Sequence, residues 1–276
     1  MADTTTLGEF LRLRRGRLKP QDVGIASYGE RRVPGLRREE LAQLAGVSVT
    51  YYTRLEQGQS HRASESVIEA LARALELSDD ERIYLHNLAR PRTPRPHTPT
   101  PATVRRATRQ LIDSLQWPAV MTGPRTEVLA WNPPGHRLLA GHLDQDAPDR
   151  VERRPNLTRM LFLDAHHRDL YPHWDTSASC AVASLRLTVS RHPDDTELAA
   201  LTGELIIKSE EFAALWSAHP VAEHASGPRH LQHPEIGELD LELETLVPAD
   251  EPDHRLLIFS AAEGSSSQAA LRLLWV

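Results

Sequence analysis

The stretch LRREELAQLAGVSVTYYTRLEQG, residues 36–58, decides how the first part of this chain folds. Apolar residues recur at helical spacing on both sides of a short interruption at Gly46 and Val47. Gly46 is typical of a helix C-terminus, and Ser48 is typical of an N-cap. The spacing therefore predicts two helices joined by a short turn, a geometry shared by DNA-binding helix-turn-helix motifs and by ordinary helical hairpins.

The second of these helices has two different sides, because successive helical residues turn by about 100°. Tyr52, Leu55 and Glu56 share one side, and the tyrosine and leucine are predicted to pack on Leu41, Leu44, Ala45 and Val47 of the segment before. The opposite side carries Thr50, Thr53, Arg54 and Gln57, with Tyr51 beside them. Their hydroxyl, amide and guanidinium groups can hydrogen-bond base edges and phosphates, but in a plain hairpin they would only be solvated.

The rest of the first 90 residues also predicts helices. Apolar residues recur at helical spacing over residues 7–15, 63–77 and 78–90, with Ser64 or Ser66 and then Ser78 as predicted N-caps. Residues 16–35 contain four glycines and two prolines without a sustained period, which predicts a basic insertion loop. No strand pattern occurs in this part of the sequence, so we expect an all-helical domain.

A proline-rich segment separates this domain from the remainder of the chain. Residues 91–101, PRTPRPHTPTP, contain five prolines in eleven positions, which favours an extended spacer. We therefore predict a helical domain over residues 1–90, a linker over 91–101 and a second domain over 102–276.

In the second domain, strand and helix patterns mix. The predicted strands are residues 119–123 and 127–132, which form a hairpin, and 236–248 and 255–262. The predicted helices are residues 155–164, 179–192, 194–219 with a break near Ser209, and a last helix from residue 266. One antiparallel sheet with helices packed on it, an α+β domain, is the simplest arrangement.

Composition excludes several classes of protein. The whole chain has a net charge of −6, but residues 1–62 hold 11 Lys or Arg against 7 Asp or Glu. This local excess of positive charge predicts that a polyanion would bind to the N-terminal part. The sequence contains no apolar run of membrane length and no signal-peptide pattern, which predicts a soluble, cytoplasmic protein with no membrane partner. Cys180 is the only cysteine, which excludes disulfides and cysteine-rich zinc sites within the chain.

The sequence offers little support for an enzyme. It lacks GxSxG, Walker A and GxGxxG motifs, so we predict no catalytic residue, no metal and no cofactor other than a bound ligand. The segment HPVAEHASGPRHLQHPE holds enough zinc-ligand types at His219, Glu223, His224, His230 and His233, but their irregular spacing predicts solvated loop histidines. The alternative is an enzyme with an appended DNA-binding module, a metal-dependent hydrolase that uses this histidine cluster. Asp164 and His166 are a separate candidate pair for acid–base chemistry.

The quoted stretch resembles the helix-turn-helix of phage-repressor and Cro-like regulators. The long basic insertion departs from their minimal five-helix pattern but matches the MmyB-like transcription regulators. The segments EVLAWN (127–132), NLTRMLF (156–162), SEEFAALW (209–216) and HPEIGEL (233–239) resemble the MmyB-like ligand-binding domain. The resemblance implies a DNA-binding transcription regulator, with an all-α five-helix domain joined to a PAS-like α+β domain with an antiparallel sheet.

The resemblance also implies roles for individual residues. The residues expected to read bases are Thr50, Tyr51, Thr53 and Arg54. The residues expected to contact phosphates are Arg31, Arg32, Arg37, Arg38, Gln57, Gln59, His61 and Arg62, although the arginines of the insertion are as readily explained by solvation. The expected partner is double-stranded DNA with a pseudo-palindromic operator, bound by a homodimer.

For the second domain the resemblance implies a small apolar, fatty-acid-like ligand. The predicted pocket residues are Trp131, Leu138, Phe162, Trp174, Arg186, Phe212 and Trp216. Arg186 would bind a ligand carboxylate or form a buried structural salt bridge. Two alternatives stay open from the residues themselves: these side chains simply form the core, or the domain is a ligand-free dimerisation module.

Overall fold

The computed structural model describes residues 6–25, 33, 35–59, 63–89, 103–221 and 226–275. Its internal contacts divide the chain into two compact units, Met1–Pro96 with Val189–Asp194, and His97–Thr188 with Asp195–Val276. The predicted linker, residues 91–101, lies outside the described residues.

Among its described residues, the helical unit has the predicted five α-helices and no strand. Its helices are α1 (Leu7–Arg17), α2 (Arg38–Leu44), α3 (Val49–Glu56), α4 (Glu65–Ala74) and α5 (Asp79–Ala89). Each buries an apolar stripe in one core, with Phe10, Leu41, Tyr52, Ile68 and Leu85 essentially inaccessible to solvent. The predicted caps are present, since Ser64 caps α4, and Ser78 accepts a hydrogen bond from the amide of Glu81 in the first turn of α5.

The turn between α2 and α3 has the predicted chemistry. Gly46 adopts φ +66°, a conformation that favours glycine, and its amide donates to the Gln43 carbonyl at 3.1 Å. The amide of Val47 donates to the Ala42 carbonyl at 3.0 Å, which closes α2 with a Schellman-type pattern. Ser48 then caps α3 by accepting a hydrogen bond from the Tyr51 amide at 3.2 Å. These bonds fix the angle at which α3 leaves α2.

Two expectations for this unit need correction. Leu44 was expected in the core but is 40% exposed. Leu41, Ala42 and Ala45 share one arc of α2, and Leu44 points roughly 100° away from the middle of that arc. The insertion after α1 is also not entirely irregular, because Pro20–Val23 forms a short 3-10 helix.

The second unit confirms an α+β fold with one antiparallel sheet. Its helices are α6 (Arg106–Ser114), α7 (Pro133–Ala140), α8 (Leu157–Leu163), α9 (Ala165–Leu170), α10 (Trp174–Arg191), α11 (Thr196–Lys208), α12 (Glu210–Ser217) and α13 (Ser266–Leu273). The last residues of α10, from Val189, are grouped with the helical unit. Its strands are β1 (Ala119–Thr122), β2 (Val128–Trp131), β3 (Gly227–His233), β4 (Gly237–Leu246) and β5 (Arg255–Ser260). The predicted hairpin is β1–β2, and the predicted break at Ser209 separates α11 from α12.

The sheet has the strand order β2-β1-β5-β4-β3, and each neighbouring pair is antiparallel. Leu231 lies opposite Leu239, and Leu243 lies opposite Phe259, so these side chains meet on one face. That face packs against Leu138 and other residues of the main core of the unit. As predicted, β4 alternates between buried leucines and exposed acidic residues, which leaves the outer face of this strand acidic.

Several elements of the second unit were not predicted. Helix α7 begins with two prolines, which resemble a turn in sequence but are tolerated in a first helical turn, and Asn132 caps it. The histidines near β3 were predicted to be solvated loop residues, and this is wrong for His233, which is buried in a strand. Strand β3 escapes detection because its two inward positions with buried side chains hold Leu231 and His233, so no apolar alternation is visible.

Candidate functional site

Helix α3 is divided into a packing side and a polar side, as its sequence predicts. Tyr52 and Leu55 are completely buried, and Glu56 is buried beside them. On the other side Thr50, Arg54 and Gln57 are exposed, whereas Tyr51 and Thr53 are half-buried. The four residues predicted to read bases therefore lie outside the packing side of α3, in two adjacent turns.

The buried carboxylate of Glu56 holds α3 in place. Arg15 of α1 donates from Nε to Oε2 and from Nη2 to Oε1, both at 2.9 Å, and its Nη1 donates to the Leu36 carbonyl at 2.7 Å. A Cβ at Gly8 would collide with the carbonyl oxygen of Glu56, so α1 approaches α3 backbone to backbone. Burial raises the pKa of Glu56, but hydrogen bonds from Arg15 and Arg38 outweigh it, and the pKa lies below its ordinary value.

Arg38 also belongs to this network, which sequence reasoning did not detect. Its Nε and Nη2 lie 3.0 and 2.8 Å from Oε1 of Glu56, while its side chain stays 42% exposed. The guanidinium at the start of α2 is therefore already hydrogen-bonded to a carboxylate. A phosphate contact by Arg38 would use its remaining donors, and its charge is partly neutralised in advance.

The other predicted phosphate-binding residues are placed as follows. Arg37, Gln57 and Gln59 are exposed near the ends of α2 and α3. Arg31, Arg32, His61 and Arg62 lie outside the described residues. We group the polar residues outside the packing side of α3 with the exposed Arg37 and Gln59 and call this set the α3 surface: Arg37, Thr50, Tyr51, Thr53, Arg54, Gln57 and Gln59.

In the second unit, five of the seven predicted pocket residues form one connected group. The Phe162 ring lies 5.4 Å from Trp174 and 5.0 Å from Phe212, in edge-to-face geometry for both pairs. Phe212 stacks on Trp216 with centroids 5.6 Å apart, and the Arg186 guanidinium lies 4.0 Å from the Trp216 ring centroid. We call this group the aromatic row: Phe162, Trp174, Arg186, Phe212 and Trp216.

An arginine stacks on the tryptophan at each end of the four aromatic rings, Arg186 on Trp216 and Arg168 on Trp174. Arg186 is 1% exposed and also donates to the Trp216 carbonyl. At the other end the Arg168 guanidinium lies 3.8 Å from the Trp174 ring centroid and contacts the Glu211 carboxylate at 3.4 Å. Sequence reasoning singled out Arg186 but missed Arg168, because the contact between α9 and α10 is not visible as a motif.

The other two predicted pocket residues lie elsewhere. Trp131 and Leu138 belong to the main core beside the sheet. The Trp131 ring packs 4.9 Å from His136, and its Nε1 donates to the Gln145 carbonyl at 2.7 Å. The seven predicted residues therefore do not form one group, and they do not line a single pocket.

The histidines considered for metal binding or catalysis have structural partners. His233 Nε2 lies 3.0 Å from the Arg137 carbonyl oxygen, and His230 pairs with Asp240 across β3 and β4. Asp164 caps α9 through the amide of His166 and contacts Nε2 of His142 at 2.7 Å. Within the residues that the structure describes, which omit Glu223 and His224, no group of three His, Cys, Asp or Glu side chains could hold a metal ion.

A deeply buried histidine supports α9. His167 is 1% exposed, and its Nε2 lies 2.9 Å from the Leu139 carbonyl oxygen. Since a carbonyl oxygen can only accept, Nε2 carries the proton. Burial lowers the pKa of His167 to about 4, so this histidine is neutral near pH 7.

Comparison with known families defines the class of protein. Residues 6–85, the part of the chain that contains the α3 surface, match the model of a helix-turn-helix domain. The chain is a DNA-binding transcription regulator. Residues 104–274, more than half of the chain, match the MmyB-like transcription regulator ligand binding domain. The chain belongs to the family of MmyB-like transcription regulators.

No curated protein matches the sequence of this chain. Among the described residues, no helix is both long enough and apolar enough to cross a membrane.

Proposed function

We propose that this regulator reads a specific operator with the polar side of α3. The observation that carries the proposal is the division of α3, which buries Tyr52 and Leu55 completely and leaves Thr50 and Arg54 exposed. The second helix of a helix-turn-helix enters the major groove, where guanidinium and hydroxyl groups distinguish base pairs. Thr50, Tyr51, Thr53 and Arg54 are the residues that we assign to base reading.

Phosphate contacts orient α3 in this proposal. Arg37, Gln57 and Gln59 flank the base-reading residues, and Arg38 contributes with the donors that Glu56 does not use. Arg31, Arg32, His61 and Arg62 complete the proposed set on sequence grounds. Such contacts add affinity for any sequence and make binding sensitive to salt.

We further propose that the chain binds as a homodimer to a pseudo-palindromic operator. Two copies of α3 would enter successive major grooves whose centres lie about 34 Å apart. A two-fold symmetric pair of proteins then requires two inverted half-sites.

The second unit, in our proposal, binds a small apolar molecule against the aromatic row and so biases the geometry of the dimer. Support comes from the family's ligand-binding domain and from the ring contacts that connect Phe162, Trp174, Phe212 and Trp216, the last three of which are buried. The ligand that we propose for this apolar group is fatty-acid-like. No metal or other cofactor is part of the proposal.

Two experiments test these proposals separately. Gel-shift assays of the full-length chain at low salt, with DNA upstream of its own and neighbouring genes, should show a complex that excess nonspecific DNA does not remove. Loss of every complex to nonspecific competitor would contradict operator reading. Native mass spectrometry of the purified chain should show an adduct of an apolar molecule, and a chain that stays without an adduct after incubation with saturated fatty acids would contradict the ligand proposal.

A further inference from the structure

One exposed side chain on α3 has no polar group. Val49 is the first residue of this helix and is 40% exposed, although the helix buries Tyr52 and Leu55 completely. A single exposed valine is common on protein surfaces, so its exposure alone carries no function. The position of Val49 in the helix does indicate a function, because residues at the N-terminal end of the second helix in a helix-turn-helix contact base edges.

The neighbours of Val49 place it at the edge of the α3 surface. Val49 and Thr53 are one turn apart and form one row along the helix, beside the row of Thr50 and Arg54. Ser48 caps the helix through the Tyr51 amide at 3.2 Å, which fixes the backbone at the first turn. As a β-branched residue in a helix, valine has one strongly preferred rotamer, so its methyl groups are presented in a defined direction.

The chemistry of the side chain selects its partner. Valine has no donor and no acceptor, so it cannot bind a phosphate oxygen or a polar base edge. In the major groove of unmodified DNA, the apolar group that a side chain meets on a base edge is the C5 methyl of thymine. We infer that Val49 recognises a thymine methyl group in each operator half-site. This inference rests on the proposed function, and it adds to the base-reading set a residue that the sequence did not single out.

The test removes only the methyl group from the DNA. Full-length wild type is first used to select its operator from random duplexes, and each thymine is then replaced by deoxyuridine, which keeps the base pairing and O4. We expect one thymine per half-site whose replacement weakens wild-type binding about fourfold, which corresponds to ~0.8 kcal/mol for one buried methyl group. The same replacement should weaken binding by Val49→Ala clearly less than binding by wild type, because alanine retains only one methyl group at this position.

A matched control and two contrary outcomes complete the design. Leu44→Ala removes another apolar side chain that is 40% exposed, but from α2, and this variant should discriminate thymine from deoxyuridine as wild type does. Alanine favours helix formation, so Val49→Ala is expected to fold. Equal thymine sensitivity in wild type and Val49→Ala, or no thymine-sensitive position in the selected operator, overturns the inference. Failure to select any sequence would instead overturn the proposed operator reading.

Discussion

Arg15 of α1 and Glu56 of α3 form a bidentate ion pair, with both N–O distances at 2.9 Å and the carboxylate shielded from solvent. The pair joins the first helix of the DNA-binding unit to the end of the helix that carries the α3 surface. Arg38 of α2 also donates hydrogen bonds to this carboxylate, so three helices meet at Glu56. The orientation of α3 therefore depends on a side chain that points away from DNA in our account.

We predict that Glu56→Gln lowers the free energy of unfolding of the helical unit by about 3 kcal/mol, because it leaves Arg15 without its buried counter-charge. Denaturation in urea, followed by far-ultraviolet circular dichroism, measures this change. Glu39→Gln, an exposed position on α2, is the control and should change stability by less than about 0.5 kcal/mol. Equal effects of the two substitutions would show that the Glu56 network does not support α3.

The same carboxylate predicts a pH dependence. The pKa of Glu56 is lowered in the folded protein, so the ionised form is favoured by folding and its contribution is lost as pH falls through the folded pKa. Wild type should therefore lose more stability than Glu56→Gln when the pH is lowered into the acid range. Parallel pH profiles of the two proteins would contradict the assignment.

Substitutions on the α3 surface should separate base reading from phosphate binding. Arg54→Ala is expected to weaken binding to the selected operator by about 1–3 kcal/mol and to relax the preference at one base pair. Arg37→Ala should weaken binding to all sequences alike and lower the slope of log K against log salt by about one. Fluorescence anisotropy titrations at several salt concentrations measure both quantities. The assignment fails if Arg54→Ala keeps the wild-type preference at every base pair.

For Arg38 we expect a smaller salt effect than for Arg37, since Glu56 already neutralises part of its charge. Arg38→Gln tests this point in the same titrations. A slope change as large as that of Arg37→Ala would mean that the pairing with Glu56 is broken in the DNA complex.

The aromatic row should control ligand retention. Phe212 contacts both Phe162 and Trp216, so Phe212→Leu is expected to interrupt the row and to reduce the fraction of protein that carries an apolar adduct. Native mass spectrometry measures that fraction. Trp131→Phe, a substitution of a similarly buried aromatic residue outside the row, should retain the adduct. The reverse pattern would move the binding site to the core beside the sheet.

His167 should make the second unit less stable in mild acid. Its folded pKa is about 4, below the ordinary value of 6.5, so folding favours the neutral form. The unfolded chain takes up the proton first, and stability is lost as pH falls from about 6.5 towards 4, by at most about 3 kcal/mol. All five tryptophans lie beyond residue 102, so tryptophan fluorescence during urea unfolding reports on this unit.

His167→Phe removes this titration, and the difference between its urea midpoints at pH 7.5 and pH 5 should be smaller than in wild type. His173→Gln changes an exposed histidine and is the control for this comparison. If the urea midpoints of His167→Phe and wild type respond equally to pH, the assignment of a neutral, buried His167 is wrong.

The sequence predicted best where structure depends on neighbours along the chain. The division of α3, the Gly46 turn, the Ser48 cap and the alternation of β4 follow from local periodicity and capping, and the structure has all of them. Contacts across space were not predictable in this way. The Glu56 network joins residues 41 and 18 positions apart, and no local pattern indicates such a pairing.

The failures have similar causes. Leu44 was assigned to the core because it is apolar, but it points away from the arc of α2 that packs, which is formed by Leu41, Ala42 and Ala45. Strand β3 was missed because a buried position is occupied by His233, whose ring nitrogens are satisfied by backbone groups. The aromatic row was named residue by residue, yet only the fold shows that Trp131 and Leu138 do not belong to it.

Selection from random-sequence duplexes by the full-length chain, followed by the same selection with Arg54→Ala, tests the central claim most directly. We predict that wild type enriches an inverted repeat whose half-site centres lie about 34 Å apart, and that Arg54→Ala loses the preference at one symmetric pair of positions. No enriched sequence at low salt, or an identical enriched sequence for both proteins, would contradict operator reading by the polar side of α3.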